Sequence, residues 1–222
     1  MSTTNEHDNV PIECPLCGAQ TPFRYPRTHT EGGITYTLYG CHGCLVEFWW
    51  PLKNPGPEWY SHDTRYAGRN ADPIWKANWN QRKIIAYLAP FRGSVLDVGC
   101  GIGNFLAYAA NAGWMCAGID FDADAIASAK KKTGLDDLSV SDVVTYARVH
   151  SEQTFDLVTF FDVLEHVDNH NEFIGAIRSM VKPGGHVAMS MPYREHAEWL
   201  MPFDVPPWHL TRWDPASLRR FL

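Results

Sequence analysis

Residues 95–190 constrain the fold more tightly than any other stretch of the chain. Five short apolar runs, at 95–98, 114–119, 138–140, 155–161 and 186–190, have the length and composition of buried strands. Helix-forming segments lie between them at 104–112, 123–132 and 172–181. Gly113 stops the first. Gly134 follows the second, which ends in three lysines suited to the negative end of the helix dipole. Lys182-Pro183-Gly184-Gly185 closes the third. Apolar strands alternating with helices belong to a parallel sheet covered on both faces. Right-handed crossovers then reduce the topology to a doubly wound α/β sheet. Ligands of such sheets bind at the carboxyl ends of the strands.

The flanks read differently. Residues 1–13 form a disordered polar tail without the apolar core of a leader peptide. Residues 14–50 hold paired cysteines and two strand-like runs, 34–39 and 45–50. Residues 51–71 are a linker by composition, with Pro51, Pro55, Gly56 and Pro57 at its start. A helix is expected from Asp72-Pro73, with Ile74, Ala77, Ile84, Ile85 and Leu88 on one face and Pro90 beyond its end. Residues 72–222 then make up the α/β domain, whose last helix, 216–222, is capped by Asp214-Pro215.

Chemistry is expected after the strands. The run from Val95 to Asn104 places Gly99, Gly101 and Gly103 at alternate positions, so the backbone can turn tightly against a ligand. A dinucleotide loop would read G-x-G-x-x-G. Here the spacing is G-x-G-x-G, and Asp97 precedes it. A carboxylate there repels a pyrophosphate and suits an ammonium group. Asp120, after the second strand, is placed to accept ribose hydroxyls, and Phe121 to cover an adenine. Asp142 with Val143, after the third, is placed near the adenine amine.

The segments VLDVGCGIGNFL, GIDFD, FDLVTFFDVLEHV and VKPGGHVAMSMP, in order across residues 91–192, resemble the successive motifs of class I S-adenosylmethionine-dependent methyltransferases. The resemblance implies a Rossmann-like methyltransferase fold and a donor site. Asp97, Gly99, Gly101 and Gly103 would hold the methionine part, Asp120 the ribose, and Asp142 with Val143 the adenine surroundings, with Phe121 and Phe161 completing the donor-binding set. The DVLEHV segment is similar to that of methyltransferases acting on quinones, sugars and other small molecules. The Asn/Asp-Pro-Pro-Tyr/Phe signature of base and amide N-methylation is absent from the sequence. The family usually ends in a helix and an antiparallel pair of edge strands. This sequence stops at Leu222, so those C-terminal edge strands are expected to be missing and the chain to be truncated.

Cys14 and Cys17 form one C-x2-C knuckle, and Cys41 and Cys44 another, 23 residues further on. Two such knuckles supply the closed four-thiolate site favoured by structural Zn²⁺. Residues 14–50 offer little core of their own, so metal binding is expected to supply most of their folding energy, on the order of 10 kcal/mol. The ribbon with its aromatic run Phe48-Trp49-Trp50 resembles the front half of bacterial methyltransferases found with sugar-modification enzymes. Sugar C-methyltransferases also carry a four-cysteine site, with a large further domain that this sequence lacks. A ribosomal RNA guanine methyltransferase family has an N-terminal zinc site whose last ligand is typically histidine.

On the acceptor side, His209 is the first candidate for a general base, and Glu165 and His166 are the others. The segment after strand five, with Trp199, Phe203, Trp208 and Trp213, is expected to form a lid over the donor's sulfonium. The formal net charge of −6, from 19 basic and 25 acidic residues, argues against a nucleic-acid surface. The apolar runs are far shorter than a membrane span, so a cytoplasmic protein is expected. Together these point to methyl transfer onto a small hydroxylated molecule, such as a sugar or nucleotide-sugar. RNA methylation with the ribbon as a clamp, and a non-catalytic scaffold, are the competing readings. Neither the acceptor atom nor the oligomeric state is legible.

Overall fold

The computed structural model describes residues 10–62, 76–194 and 204–222. In chain order the strands are β1 (Phe23–Glu31), β2 (Ile34–Gly40), β3 (Glu47–Trp50), β4 (Ser94–Val98), β5 (Met115–Asp120), β6 (Leu138–Val140), β7 (Phe155–Phe161), β8 (Val181–Ser190) and β9 (Thr211–Arg212). The helices are α1 (Pro57–His62), α2 (Trp79–Leu88), α3 (Asn104–Asn111), α4 (Ala123–Thr133), α5 (Val143–Val149), α6 (His170–Met180) and α7 (Pro215–Phe221), and a 3-10 turn spans Leu164–His166. These elements fall into two compact units. One comprises residues 1–54, 164–171 and 191–222, the other residues 55–163 and 172–190.

The second unit is the doubly wound sheet. Its strands run in the order β6-β5-β4-β7-β8, and every neighbouring pair is parallel. From β4 the chain builds outward through β5 and β6, then returns to β4's other side for β7 and β8. That reversal puts the switch point between β4 and β7. Leu96, Leu106 and Leu157 are fully buried, each contributing about 1.5–3 kcal/mol of transfer free energy. Phe105, Ala109, Ile126 and Ala129 close the core from α3 and α4.

The helices of this unit start where local chemistry allows. Asn78 caps α2 through a reciprocal box with Gln81, and this sets the helix start at Trp79. The expected start at Asp72-Pro73 lies outside the described residues. Lys76, Ala77 and Asn78 are not helical, so Ile84, Ile85 and Leu88 belong to a shorter helix than anticipated. Asp122 caps α4, and Gly134 ends it in the left-handed conformation. Helix α5 was not anticipated. Its Val-Val-Thr start favours a strand, but the Asp142 side chain accepts the Thr145 N–H and fixes a helical turn. Strand β8 starts at Val181, five residues earlier than expected, because Val181 already pairs with Phe155 across a register shift.

The first unit contains the cysteines and an antiparallel sheet of order β1-β2-β3-β9. It reaches well beyond the ribbon residues 14–50. Strand β1 is polar along most of its length, and its register shifts between Arg24 and Thr28, around Pro26. A proline lacks the ladder donor and is tolerated at such an irregularity. Tyr36, Leu38 and Trp49 form the core of the sheet, with Tyr25 and Val205 against them. Strand β9 adds from the far end of the sequence, pairing Glu47 with Arg212 and Phe48 with Thr211. Arg212 donates to Asp204 at 2.8 Å and to Glu47 at 2.5 Å, and Glu47 also accepts the Tyr25 hydroxyl. Helix α7 follows, capped by Asp214 with Ser217.

Candidate functional site

The carboxyl edge of the parallel sheet gathers the donor-site candidates. Strand β4 buries Asp97, 3% exposed, and its Oδ1 accepts the Thr159 hydroxyl from neighbouring β7 at 2.6 Å. Burial pushes the Asp97 carboxyl up to about 7, and the Thr159 hydrogen bond opposes the shift. The chain then enters the glycine loop. Gly99 has φ 72°, and its N–H donates to the Ile119 carbonyl at 2.8 Å. A Cβ at Gly99 would lie 2.6 Å from Val163 Cγ2. Gly101 differs. Its φ is 52°, and a Cβ there meets nothing within 4 Å, so the loop fronts open space at this point. Gly103, also with positive φ, caps α3.

Asp120 at the end of β5 ties this loop to the next. Its Oδ2 accepts the Gly101 N–H and its Oδ1 the Asp122 N–H, both at 2.9 Å. Burial raises the Asp120 carboxyl above its ordinary range, against those two hydrogen bonds. Phe121, 39% exposed, meets the Tyr60 ring edge-on at 4.9 Å between centroids. Asp142 caps α5, and Val143 beside it is buried. The net effect on Asp142 is a lowered pKa: burial is the largest single influence and pushes it up, but hydrogen bonds from Thr145 and the neighbouring backbone N–H groups together outweigh it. Phe161 at the end of β7 packs edge-on against Phe105 at 5.0 Å.

Three residues of this unit carried no clear signal in the sequence. Thr159 is a hydroxyl within a mostly apolar strand, which is the only hint it offers. Asp162 has φ 55°, a conformation that Asp tolerates better than most residues, and accepts the Ser190 hydroxyl at 2.9 Å. Tyr60 lies in the segment expected to be a linker, with no role assigned to it at the donor site.

The four cysteines converge in the first unit. Their sulfurs lie within 4.8 Å of one another, with Cys14–Cys44 at 3.8 Å and Cys17–Cys41 at 3.5 Å. A tetrahedral Zn²⁺ with Zn–S near 2.3 Å has sulfur–sulfur edges of about 3.8 Å. The two knuckles repeat one geometry. The N–H of Gly18 donates to the Cys14 carbonyl, and that of Leu45 to the Cys41 carbonyl. Gly18 and Leu45 both have positive φ. The Gly43 N–H points at Cys41 Sγ at 3.2 Å. These sulfurs therefore fit a closed zinc site.

The acid–base candidates also meet in the first unit. One ligand-type atom from each of Glu165, His166 and His209 lies within 4.8 Å of the others. His209 Nδ1 is 3.2 Å from Asp204 Oδ1, and His166 Nδ1 lies against the Trp208 carbonyl. Nothing local in the sequence marked Asp204, five residues before His209. Of the expected lid, Trp199 and Phe203 lie outside the described residues, and Trp213 is buried with its Nε1 donating to Thr211.

An all-parallel five-stranded sheet with a glycine loop and two acids at its carboxyl edge defines a Rossmann-like ligand-binding domain. A family model described as a methyltransferase domain matches residues 69–222, and the chain belongs to that family. The ubiquinone biosynthesis O-methyltransferase of Serratia proteamaculans is 33% identical over 114 residues, covering 50% of this chain and 47% of that protein. Its counterpart from Photorhabdus laumondii is 34% identical over 114 residues, covering 50% and 48%. The chain thus spans about half the length of these relatives. Among solved structures, a SAM dependent methyltransferase from Archaeoglobus fulgidus aligns with a TM-score of 0.56 and 23% identity, over 74% of this chain and 71% of that one. The magnesium protoporphyrin IX methyltransferase of Synechocystis, with bound SAH, aligns with a TM-score of 0.54 and 17% identity, over 73% and 84%. At these identities the two structures establish the fold. Among the described residues, no helix is long and apolar enough to cross a membrane.

Proposed function

We propose that the chain transfers a methyl group from S-adenosylmethionine to a small hydroxylated acceptor, such as a sugar or nucleotide-sugar. The carrying observation is the open face of the loop at Gly101, latched to Asp120 and backed by the buried carboxyl of Asp97. Bound there, the donor supplies an electrophilic methyl on a sulfonium. Asp97 takes the ammonium of the methionine part, Asp120 the ribose hydroxyls, and Phe121 an adenine face. The cysteines hold one structural Zn²⁺. The acceptor class rests on the DVLEHV resemblance, on the net charge of −6 and on relatives described as O-methyltransferases.

Calorimetry with S-adenosylmethionine tests the donor site. Asp120→Ala removes charge-assisted hydrogen bonds, each worth roughly 1.5–3 kcal/mol, and affinity falls accordingly while circular dichroism reports an intact fold. Unchanged affinity means that the ribose sits elsewhere. Methyl-transfer assays with sugar nucleotides, phenols and ribosomal RNA in parallel test the acceptor, and turnover of RNA alone overturns the small-molecule reading.

A further inference from the structure

We infer that Glu165, His166 and His209 form a second metal site, for a divalent transition ion of the zinc type bound by nitrogen and oxygen. The inference is independent of the methyl-transfer reading. Glu165 is 1% exposed and His209 7%, so the three ligand atoms converge in a buried spot. The tautomers follow from their neighbours. Asp204 Oδ2 accepts from the Arg212 guanidinium at 2.8 Å, and its Oδ1 lies 3.2 Å from His209 Nδ1, where a carboxylate oxygen accepts the ring hydrogen. A backbone carbonyl also only accepts, so His166 Nδ1 carries its hydrogen toward Trp208. Both rings then present Nε2 as the lone-pair atom. An imidazole whose other nitrogen donates to a carboxylate or a carbonyl is the arrangement that orients metal-binding histidines.

The spacing supports an ion over a proton-transfer pair. His166 Nε2 lies 3.9 Å from Glu165 Oε1, too long for a hydrogen bond. Two ligands about 2.1 Å from one ion sit roughly 3–4.2 Å apart, depending on the coordination angle. Backbone bonds fix the two ligand-bearing segments, since the Leu210 N–H donates to the Glu165 carbonyl at 2.8 Å. Two imidazoles and one carboxylate select zinc-like ions over Mg²⁺ and Ca²⁺. Three protein ligands leave a coordination position for water or another oxygen donor, unlike the closed set of four cysteines.

The two sites are separable by spectroscopy. The full chain is dialysed against Co²⁺, and cobalt content is measured together with the visible spectrum. Two cobalt ions per chain are expected. One shows thiolate-to-cobalt charge transfer and the other only weak ligand-field bands. Glu165→Gln and His209→Ala are expected to lose the second ion and keep the charge-transfer band, which also reports that the first unit remains folded. Asp204→Asn, which keeps all three ligands but removes the orienting carboxylate and with it the Arg212 ion pair, is expected to weaken the second ion 10- to 100-fold. If either ligand variant loses the charge-transfer band as well, Asp204→Asn decides, and unchanged cobalt affinity there overturns the assignment. It is equally overturned by a single ion per chain in the wild type, or by a second ion that persists in both ligand variants.

Discussion

With S-adenosylmethionine bound as proposed, Asp97 makes its affinity sensitive to pH. Its carboxyl titrates at about 7 in the folded protein, because burial outweighs the Thr159 hydrogen bond. An ammonium ligand binds the ionised form. The ionised fraction is about 0.03 at pH 5.5 and about 0.5 at pH 7. S-adenosylmethionine affinity is therefore expected to rise about 15-fold over that interval, worth roughly 1.6 kcal/mol. The donor's own α-amino group stays protonated throughout, since such groups titrate near 8. Stability of the ligand-free protein moves the other way. With its folded pKa raised above the ordinary value of 3.8, Asp97 contributes stability that is full below about pH 4 and lost as pH rises through 7, on the order of 4 kcal/mol. Calorimetric titrations at several pH values, on wild type and Asp97→Asn, are the assay. A flat affinity profile in the wild type, or the same slope in Asp97→Asn, refutes the reasoning.

Other substitutions follow from the geometry. Gly99→Ala places a Cβ 2.6 Å from Val163 Cγ2 at a residue with φ 72°; a loss of about 1–3 kcal/mol is expected in denaturant unfolding. Cys41→Ser removes one sulfur of four and the acceptor of the Gly43 N–H, and elemental analysis should find the cysteine-bound zinc lost while the parallel sheet keeps its far-ultraviolet signal. Arg212→Leu leaves the buried Asp204 carboxylate without its guanidinium and takes one of Glu47's partners, costing about 3 kcal/mol in thermal unfolding; full stability would show that the network contributes nothing net.

The parallel sheet was legible because its signals are local. Each of β4, β5 and β7 is an apolar run bounded by turn residues, and the glycines of the loop are three of the ten positive-φ glycines among the described residues. The cysteine pairs were legible for the same reason, since one knuckle is a motif of four residues. Competing local preferences hid other elements. The strand β1 carries Arg24, Pro26, Arg27, Thr28 and Thr30 in a mostly exposed row, so no alternation marks it, and its order comes from pairing with β2. The Val143-Val144-Thr145 start of α5 reads as a strand until the Asp142 cap is seen to accept the Thr145 N–H. Strand β9 is two residues long and is defined entirely by its partner. The meeting of Asp204, His209, Glu165 and His166 depends on tertiary structure that no spacing along the chain encodes.

The pairing of β9 with β3 also bears on how the chain is made. Phe48 and Thr211 are partners across more than 160 intervening positions, and the cost of closing so long a loop precedes any gain from the pairing. On the ribosome, the cysteine knuckles and the β1-β2-β3 meander emerge before the parallel sheet. The edge of β3 that β9 will cover then waits, its backbone donors and acceptors unpaired, while the whole parallel sheet is synthesised and folded. An uncovered edge is a template for pairing with other chains. Until β9 arrives, the edge of β3 is thus open to pairing with another copy of the same segment.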